Sequence, residues 1–171
     1  MLLTPIKREV ARCVASLFIY YSVYNVYNER KIMKMKVIFL DIDGVLNTNS
    51  DREISNDKLK LLSELVSKTG ADVVLSSSWR NWWNNPKTNI PGSFITMWKN
   101  KFLDNNLSIT LTTELECPKN LSIEKFIIQH DVKCFIVIDD EPINTANLVQ
   151  TNGDVGLTRS DCQKAFQLLL N

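Results

Sequence analysis

The stretch KVIFLDIDGVLN, residues Lys36–Asn47, decides the fold class of this chain. Its first part, Lys36–Leu40, is an almost continuous apolar run, which is typical of a strand buried on both faces of a parallel sheet. Two runs of the same kind follow, DVVL at Asp72–Leu75 and KCFIVI at Lys133–Ile138. The sequence therefore predicts three buried strands in one mainly parallel sheet.

Helical patterns separate these strands. The first predicted helix, Ser55–Lys68, has Ser55 as its N-cap and Gly70 where a C-terminal cap belongs. A capping-box pair, Thr158 and Asp161, opens the last helix. Strands that alternate with helices predict an α/β fold, three-layered and Rossmann-like, with helices on both faces of the sheet. The remaining predicted elements are a helix from Phe94 to Phe102, a short strand at Leu107–Leu111 and a helix at Asn120–His130.

Length and composition are typical of one soluble domain. The chain has 171 residues, and 20 Lys and Arg against 19 Asp and Glu give a net charge of +1. That balance gives no electrostatic reason to expect strong nucleic-acid binding. The four cysteines are widely spaced and His130 is the single histidine, so a zinc site is not expected. We expect reduced cysteines and a cytoplasmic location.

Residues 1–32 differ from the domain predicted at 33–171. Basic residues precede an apolar run, Cys13–Tyr27, which is too short and too rich in tyrosine for a confident membrane span. Three interpretations stay open: a start codon assigned too early, with Met33 or Met35 as the functional start; a helix that docks on the domain or lies on a membrane surface; and a targeting segment. Membrane contact is expected only if residues 1–32 are retained.

Unusual polar residues follow each of the three predicted buried strands. Asp41 and Asp43 follow the first, Ser76–Arg80 (SSSWR) follows the second, and Asp139 and Asp140 follow the third. In α/β sheets, ligands bind outside the carboxyl ends of the strands. Two carboxylate pairs at this edge would repel each other without a cation, and Mg²⁺ prefers oxygen ligands. One such pair alone indicates a solvated loop or a helix N-cap, but two in this position predict a magnesium site.

Three motifs resemble those of the haloacid dehalogenase (HAD) superfamily, most of whose members are phosphatases. They are DIDGVLN at Asp41–Asn47, LSSSWR at Leu75–Arg80 and VIDDE at Val137–Glu141. Two further elements, SSSWR and the GLT at Gly156–Thr158, make the chain resemble one subgroup of the superfamily more closely. This subgroup is the small capless HAD domain of RNA-repair-associated, Swiss Army Knife type proteins. The resemblance covers about residues 36–170. It implies a HAD fold with little or no cap, and a Mg²⁺-dependent phosphohydrolase.

The resemblance implies a role for each catalytic residue. Asp41 would be the nucleophile that forms an aspartyl-phosphate, and Asp43 would protonate the leaving group and then activate water. Residues i and i+2 of an extended strand point the same way, so both carboxylates can face one phosphate. Lys119 would be the cation that neutralises charge on the transferring phosphoryl group, with Lys125 as its rival.

The phosphate-binding residues would come from the second motif. Ser76 would donate a hydrogen bond to the phosphoryl oxygens, with main-chain N–H groups from Ser77 onward as further donors. Which of the three serines binds phosphate stays open. Arg80 either contacts a phosphate or forms an ion pair with Glu141 or another neighbour.

The implied magnesium site combines the first and third motifs. Asp41 and the main-chain carbonyl of Asp43 would face the metal. Asp139 and Asp140 would complete the site, with Asp140 as the direct ligand. Because dehalogenases do not need Asp43, its presence favours phosphoryl chemistry over dehalogenation.

Four tryptophans cluster around the second motif in the sequence. They either form an aromatic platform that stacks a nucleobase or cover a loop and pack the sheet edge, and we favour packing. The tryptophans are Trp79, Trp82, Trp83 and Trp98.

The gaps between the motifs are too short for a large cap domain, although residues 81–106 could form a small lid. The site is therefore expected to be open and to admit a bulky substrate. The expected partner is a phosphorylated small molecule, a nucleotide or a nucleic-acid end, without a stable nucleic-acid complex. The alternative functions are a phosphotransferase or dehalogenase on the same scaffold, a catalytically degenerate binding or scaffold module, and a membrane-tethered interaction protein.

Overall fold

The computed structural model describes residues 35–115 and 117–170. The segment 1–32, for which three interpretations stay open, lies outside the described residues. Within the described residues, no helix is both long enough and apolar enough to cross a membrane. The elements follow one another as β1 (Lys36–Leu40), α1 (Asn56–Thr69), β2 (Asp72–Leu75), α2 (Arg80–Trp83), α3 (Phe94–Asp104), β3 (Ile109–Thr112), α4 (Lys119–Gln129), β4 (Cys134–Asp139), β5 (Leu148–Gln150) and α5 (Arg159–Leu170).

The strands form a single parallel sheet with the order β3-β2-β1-β4-β5. β1 lies at its centre, and Val37, Ile38, Phe39 and Leu40 are all fully buried. A central strand with helices above and below it has no solvent-facing positions, which explains the uninterrupted apolar run. The predicted parallel sheet is confirmed.

Helices cover both faces of this sheet. On one face, α1 and α5 pack Leu59 and Ala165 into the same core as Ile38 of β1. On the other face, α4 packs Phe126 edge-on against Phe39, with the ring centroids 5.5 Å apart. Consecutive strand residues point to opposite faces, so Ile38 and Phe39 serve separate cores. The predicted three-layer, Rossmann-like α/β/α architecture is confirmed.

Local sequence signals mark several helix ends. Gly70 follows α1 in the left-handed conformation, with a φ of 65°, and its N–H donates to the carbonyl of Val66. Before α5, the N–H of Thr158 donates to Asp161 Oδ2 at 2.9 Å and the N–H of Asp161 donates to Thr158 Oγ1 at 3.2 Å. This is the reciprocal capping box expected from the sequence. Ser55 occupies the N-cap position of α1, but its side chain accepts no capping bond within the described part of the chain.

Other element boundaries depend on contacts that a local pattern does not contain. β5 was not predicted, and it becomes a strand because Leu148 pairs with Val137 of β4. β3 begins at Ile109 instead of Leu107. The N–H of Leu107 donates to the carbonyl of Phe102 at 2.9 Å, so this residue completes the end of α3 and does not pair with β2.

In the described residues, the connections on both sides of β2 contain no separate cap domain. α1 alone connects β1 to β2, and only α2 and α3 lie between β2 and β3. After β3 the chain crosses to the far side of β1 and forms β4, so the direction of strand order reverses between β1 and β4. The crevice at such a reversal, outside the carboxyl ends of the strands, is where ligands bind in sheets of this type.

Candidate active site

Strand register brings one residue from each motif to the same level. Leu40 of β1 pairs with Leu75 of β2 and with Ile138 of β4. The residues that come next, Asp41, Ser76 and Asp139, therefore lie side by side at the carboxyl edge. Main-chain bonds continue this alignment, because the N–H of Asp41 donates to the Ile138 carbonyl and the N–H of Ser76 donates to the Leu40 carbonyl. The three motifs thus meet at the reversal point of the sheet.

Lys119 joins two of these carboxylates. Its Nζ lies 2.8 Å from Asp41 Oδ2 and 2.8 Å from Asp139 Oδ2, and 3.8 Å from Glu141 Oε2. Lys119 is the first residue of α4, and its main-chain carbonyl accepts a hydrogen bond from the buried Ser122 hydroxyl at 2.8 Å. Burial on its own would lower the pKa of Lys119, but Asp41 and Asp139 raise that pKa above its usual value. The site therefore holds a fixed positive charge between two acids.

Three carboxylates could hold a metal ion. One oxygen from each of Asp41, Asp139 and Asp140 lies within 4.8 Å of the other two. Burial, followed by the charge of Asp41, raises the pKa of Asp139 to about 6, and the same two causes raise the pKa of Asp140. A set of crowded, hard oxygen donors fits Mg²⁺, which would relieve their repulsion. Asp139 already accepts bonds from Lys119 and from the N–H of Glu141, so Asp140 is the freer ligand.

Two glycines make room for the Asp140 side chain. Gly44 has a φ of 67°, and a Cβ added to it would overlap the Asp140 carboxylate and lie 2.8 Å from Asp140 Cβ. A Cβ on Gly153 would lie 2.8 Å from Asp140 Oδ2. The Gly44 carbonyl accepts a bond from the buried Thr151 hydroxyl at 2.8 Å, which fixes the loop. A side chain at Gly44 would therefore displace a candidate metal ligand.

Asp43 lies at the mouth of the same cleft, with an exposed side chain. Asp43 Oδ1 accepts a bond from Asn47 Nδ2 at 2.8 Å, and Oδ2 accepts one from Trp79 Nε1 at 2.7 Å. The cleft has a volume of about 390 Å³ and is open to solvent. Its lining includes Asp41, Asp43, Ser78, Lys119 and Asp140.

Arg80 supports the loops beside the cleft. Its guanidinium donates to the main-chain carbonyls of Ser76 at 2.5 Å, Ser77 at 3.0 Å, Glu114 at 3.2 Å and Cys117 at 3.4 Å. Burial lowers the pKa of Arg80, while the charge of Asp41 acts in the opposite direction. Among the described side chains, the ion pair with Glu141 is not formed, and a phosphate contact stays a prediction. The contacts found show that Arg80 links the loops after β2 and β3 by hydrogen bonds.

The three serines after β2 differ in their surroundings. Ser76 Oγ is fully buried and has no hydrogen-bond partner among the described residues. Ser77 Oγ accepts a long bond, 3.4 Å, from the N–H of Trp79. Ser78 is exposed and lines the cleft. A buried hydroxyl without a partner is costly, and among the three serines this description applies only to Ser76 within the described residues.

Comparison with known proteins shows the family of this chain. The model of the HAD domain in Swiss Army Knife RNA repair proteins matches residues 37–162, which contain all three motifs and Lys119. The chain belongs to this HAD-domain family. No curated protein and no solved structure gave a significant match. The match covers β1 to the start of α5, so the sheet and the candidate site both belong to the HAD domain.

Within this HAD domain, the structure separates the two candidate lysines. Lys119 contacts Asp41 and Asp139, as described above. Lys125, which follows Lys119 on the same helix, has its Nζ 2.9 Å from Glu114 Oε2 and 2.9 Å from Cys117 Sγ. The hydrogen bonds to Cys117 and then to Glu114 raise the pKa of Lys125. Lys119 is therefore the lysine placed beside the predicted nucleophile.

The tryptophans divide between packing and contact with the site. Trp83 and Trp98 are buried in the core, and Trp83 Nε1 donates to the Ile109 carbonyl of the edge strand β3 at 3.3 Å. Packing was the favoured interpretation for these residues, and it describes both of them. Trp82 is 40% exposed. Trp79 is half-buried and donates to Asp43, a contact that sequence analysis missed.

Asn47 is a second residue whose role was missed. It is nearly fully buried, accepts a bond from the Gly44 N–H at 2.9 Å and donates to Asp43. Asn47 ends the DIDGVLN motif, directly after the apolar pair Val45 and Leu46. An amide in that position is the sequence signal that could have indicated a buried, hydrogen-bonded side chain. A buried amide needs hydrogen-bond partners, because an unpaired one is destabilising. Asn47 finds them at Gly44, Asp43 and the carbonyl of Arg52.

Proposed function

We propose that the chain is a Mg²⁺-dependent phosphomonoesterase that works through an aspartyl-phosphate on Asp41. The observation that carries the proposal is the position of Lys119, which bridges Asp41 and Asp139 beside a third carboxylate, Asp140. The three carboxylates carry more negative charge than Lys119 neutralises, so they repel a doubly charged phosphate. The phosphate can bind there only if further positive charge binds with it. A divalent cation with the substrate supplies it.

The first chemical step is attack by the Asp41 carboxylate on phosphorus. Asp41 Oδ1 accepts the N–H of Ile42 at 2.8 Å, and this bond orients the carboxylate. A bond forms between an Asp41 oxygen and phosphorus while the bond from phosphorus to the leaving oxygen breaks. Asp43 gives its proton to that leaving oxygen.

The second step restores Asp41. Asp43, now a carboxylate, takes a proton from water, whose oxygen bonds to phosphorus as the Asp41–phosphorus bond breaks. Inorganic phosphate leaves, and both aspartates return to their starting states. The net reaction is hydrolysis of one phosphate ester bond.

Positive and donor groups stabilise the phosphoryl oxygens in both steps. Lys119 contributes its fixed charge, and Ser76 contributes a buried hydroxyl that has no competing partner among the described residues. Asp41, Asp139 and Asp140 would hold Mg²⁺, with Asp140 as the most available ligand. When bound there, Mg²⁺ supplies positive charge that offsets the charge of the phosphoryl group.

Access to the cleft and the description of the family both support a proposal for the substrate class. The carboxyl edge is not covered by a separate cap in the described residues, so a phosphate on a bulky molecule can reach Asp41. The family is described by its occurrence in RNA repair proteins, which supports a phosphorylated nucleic-acid end or a nucleotide as substrate. The net charge of +1 does not favour a long-lived nucleic-acid complex.

The test is hydrolysis of p-nitrophenyl phosphate by the full chain, with Mg²⁺ and with EDTA. We expect phosphate release that requires Mg²⁺ and falls to background in Asp41→Asn, which keeps the shape of the side chain but not the nucleophile. Activity that survives Asp41→Asn would contradict the mechanism. The natural substrate is sought with 5′- and 3′-phosphorylated oligonucleotides, nucleotides, sugar phosphates and phosphopeptides.

Two alternatives give different results in the same experiment. A phosphotransferase consumes the phosphate ester only when an acceptor alcohol is added and releases little inorganic phosphate. A degenerate binding module shows no turnover on the panel and no Mg²⁺ binding by calorimetry. Intact candidates for nucleophile, acid, cation and metal ligands favour an enzyme over the degenerate module, and the acceptor dependence of phosphate release distinguishes the hydrolase from the phosphotransferase.

A further inference from the structure

Trp79 and Asp43 are joined by a direct hydrogen bond between two separate loops. Trp79 Nε1 donates to Asp43 Oδ2 at 2.7 Å, and the two residues are 36 positions apart in the sequence. The other oxygen, Oδ1, accepts from Asn47 Nδ2 at 2.8 Å. An exposed aspartate normally samples several rotamers. The two donors, one on each carboxylate oxygen, restrict the Asp43 side chain to one rotamer.

The indole of Trp79 is itself held by its neighbours. Its ring lies against Trp98, with the centroids 4.0 Å apart, and contacts Trp82 and Phe94 in edge-to-face geometry at 5.4 Å and 5.7 Å. Trp98 is buried in the core that α1 and α5 share with the sheet. The direction of the Trp79 N–H is therefore set by aromatic packing, and the bond to Asp43 transmits that rigidity to an otherwise exposed side chain.

We propose that Trp79 is a positioning residue, whose indole N–H holds the Asp43 carboxyl group in the rotamer from which it protonates the leaving oxygen. This inference rests on the proposed function, in which Asp43 is the general acid. A carboxyl oxygen that accepts one N–H bond keeps a second lone-pair position, so Asp43 can carry the transferable proton while Trp79 stays bonded. The proton moves from Asp43 to the leaving oxygen, and Trp79 keeps its own.

A loss of positioning has a distinctive consequence. An alkoxide leaving group is strongly basic and needs a proton as the bond to phosphorus breaks, whereas p-nitrophenolate leaves without one. A misplaced Asp43 therefore slows the reaction of an alkyl phosphate more than that of an aryl phosphate. A variant that only loosens the fold or weakens phosphate binding slows both to the same degree.

The experiment compares kcat/KM for glycerol 2-phosphate and p-nitrophenyl phosphate in Trp79→Phe. Phe keeps an aromatic ring for the packing against Trp98 but has no N–H. General acid catalysis contributes about 10²–10⁴-fold, so partial loss of positioning is expected to raise the aryl-to-alkyl ratio on the order of tenfold. The matched control is Trp82→Phe, because Trp82 contacts the same ring cluster and its Nε1 has no partner among the described residues. Its ratio should stay at the wild-type value.

The outcomes separate this inference from the proposed function. An equal fall for both substrates in Trp79→Phe, or no change in either, overturns the positioning role. Asp43→Asn tests the acid itself and should raise the ratio more than Trp79→Phe does. If Asp43→Asn leaves the ratio unchanged, the general-acid step of the proposed function is wrong. A normal response to Asp43→Asn with none to Trp79→Phe overturns only the role of Trp79.

A second measurement does not depend on activity. In the ¹⁵N spectrum of the full chain, the Trp79 Nε1–H signal should shift in Asp43→Ala, because its acceptor has been removed. The signal of Trp83 should stay in place, since Trp83 donates to the distant Ile109 carbonyl. An unmoved Trp79 signal would mean that the hydrogen bond is not formed in solution, and the inference would be overturned.

Discussion

At the scale of single residues, the candidate site contains groups whose burial is unfavourable until a ligand arrives. Ser76 Oγ is buried and unpartnered within the described residues, and an unmade hydrogen bond of this kind costs about 1–3 kcal/mol. A phosphoryl oxygen would accept from this hydroxyl and recover that free energy. Stability and phosphate binding should therefore respond in opposite directions when Ser76 is changed.

Ser76→Ala tests this opposition. We expect an unchanged or slightly raised melting temperature, because a buried unpaired hydroxyl is removed, together with a higher KM for p-nitrophenyl phosphate. Ser122→Ala is the matched control for stability. Ser122 is equally buried, but its hydroxyl donates to the Lys119 carbonyl at 2.8 Å, so its removal should lower the melting temperature. A fall of the same size in both variants would show that Ser76 is bonded within the protein.

Gly44→Ala and Gly70→Ala separate backbone strain from the crowding of Asp140. Both glycines have positive φ, 67° and 65°, so alanine should cost about 1–2 kcal/mol of unfolding free energy at each position. An added Cβ meets Asp140 at Gly44 but nothing within 4 Å at Gly70. We expect chemical denaturation to show a larger loss for Gly44→Ala, and calorimetry to show weakened Mg²⁺ binding in that variant alone. Equal losses and intact Mg²⁺ binding would mean that Asp140 can move aside.

At the scale of elements, α4 packs against the core and places Lys119 in the candidate site. Ile123 and Phe126 anchor the helix against one face of the sheet, and the first residue, Lys119, extends over the carboxyl edge. A lysine at a helix N-terminus is not stabilised by the helix dipole. The contacts of Lys119 with Asp41 and Asp139 offset that disadvantage, which supports a role in the site rather than in the helix.

The two lysines of α4 provide a test on one helix. Lys119→Ala should lower kcat far more than Lys125→Ala, because Lys119 alone lies beside Asp41 while Lys125 pairs with Glu114 at the surface. Both variants lose one positive charge, so a general charge effect is the same in each. Initial rates on p-nitrophenyl phosphate with saturating Mg²⁺ give the comparison. A greater loss in Lys125→Ala would assign the phosphoryl-neutralising role to Lys125.

At the scale of the whole molecule, the acidic cluster links folding stability to pH and to metal. Burial and the charge of Asp41 raise the pKa of Asp139 from 3.8 to about 6, so the folded state holds this proton more tightly than the unfolded state. The resulting stabilisation is present below the unfolded pKa of 3.8 and is lost as pH rises through about 6. The raised pKa of Asp140 acts in the same direction.

Thermal melts of the full chain test this linkage. In EDTA, the melting temperature should fall as the pH is raised from about 5 to about 7.5. The reason is that buried Asp139 loses its proton in the folded state over this range and the stabilisation from its raised pKa is lost. Added Mg²⁺ should raise the melting temperature more at the higher pH, since a metal competes with that proton. Asp140→Asn should reduce the Mg²⁺ effect. A Mg²⁺ response that is the same at both pH values would contradict binding at these carboxylates.

The sequence by itself determined the central strands and the positions of the candidate site residues. β1, β2 and β4 are buried on both faces, and burial of that kind requires an apolar residue at nearly every position, which can be read locally. The polar residues that interrupt these runs, Asp41, Ser76 and Asp139, lie one residue or less from the strand ends. Because parallel strands end at the same edge, a linear pattern was enough to predict that they meet.

Only the tertiary structure decided which side chains touch. β5 depends on its pairing with β4, and the contacts of Lys119 with Asp41 and Asp139 depend on the direction in which α4 starts. Arg80 had two predicted roles, yet its donors reach four carbonyls from two loops. The bond from Trp79 to Asp43 joins distant residues and leaves no periodic signal. Contacts of this kind are fixed by how helices and loops pack on the sheet, and a local pattern records burial but not the identity of the partner.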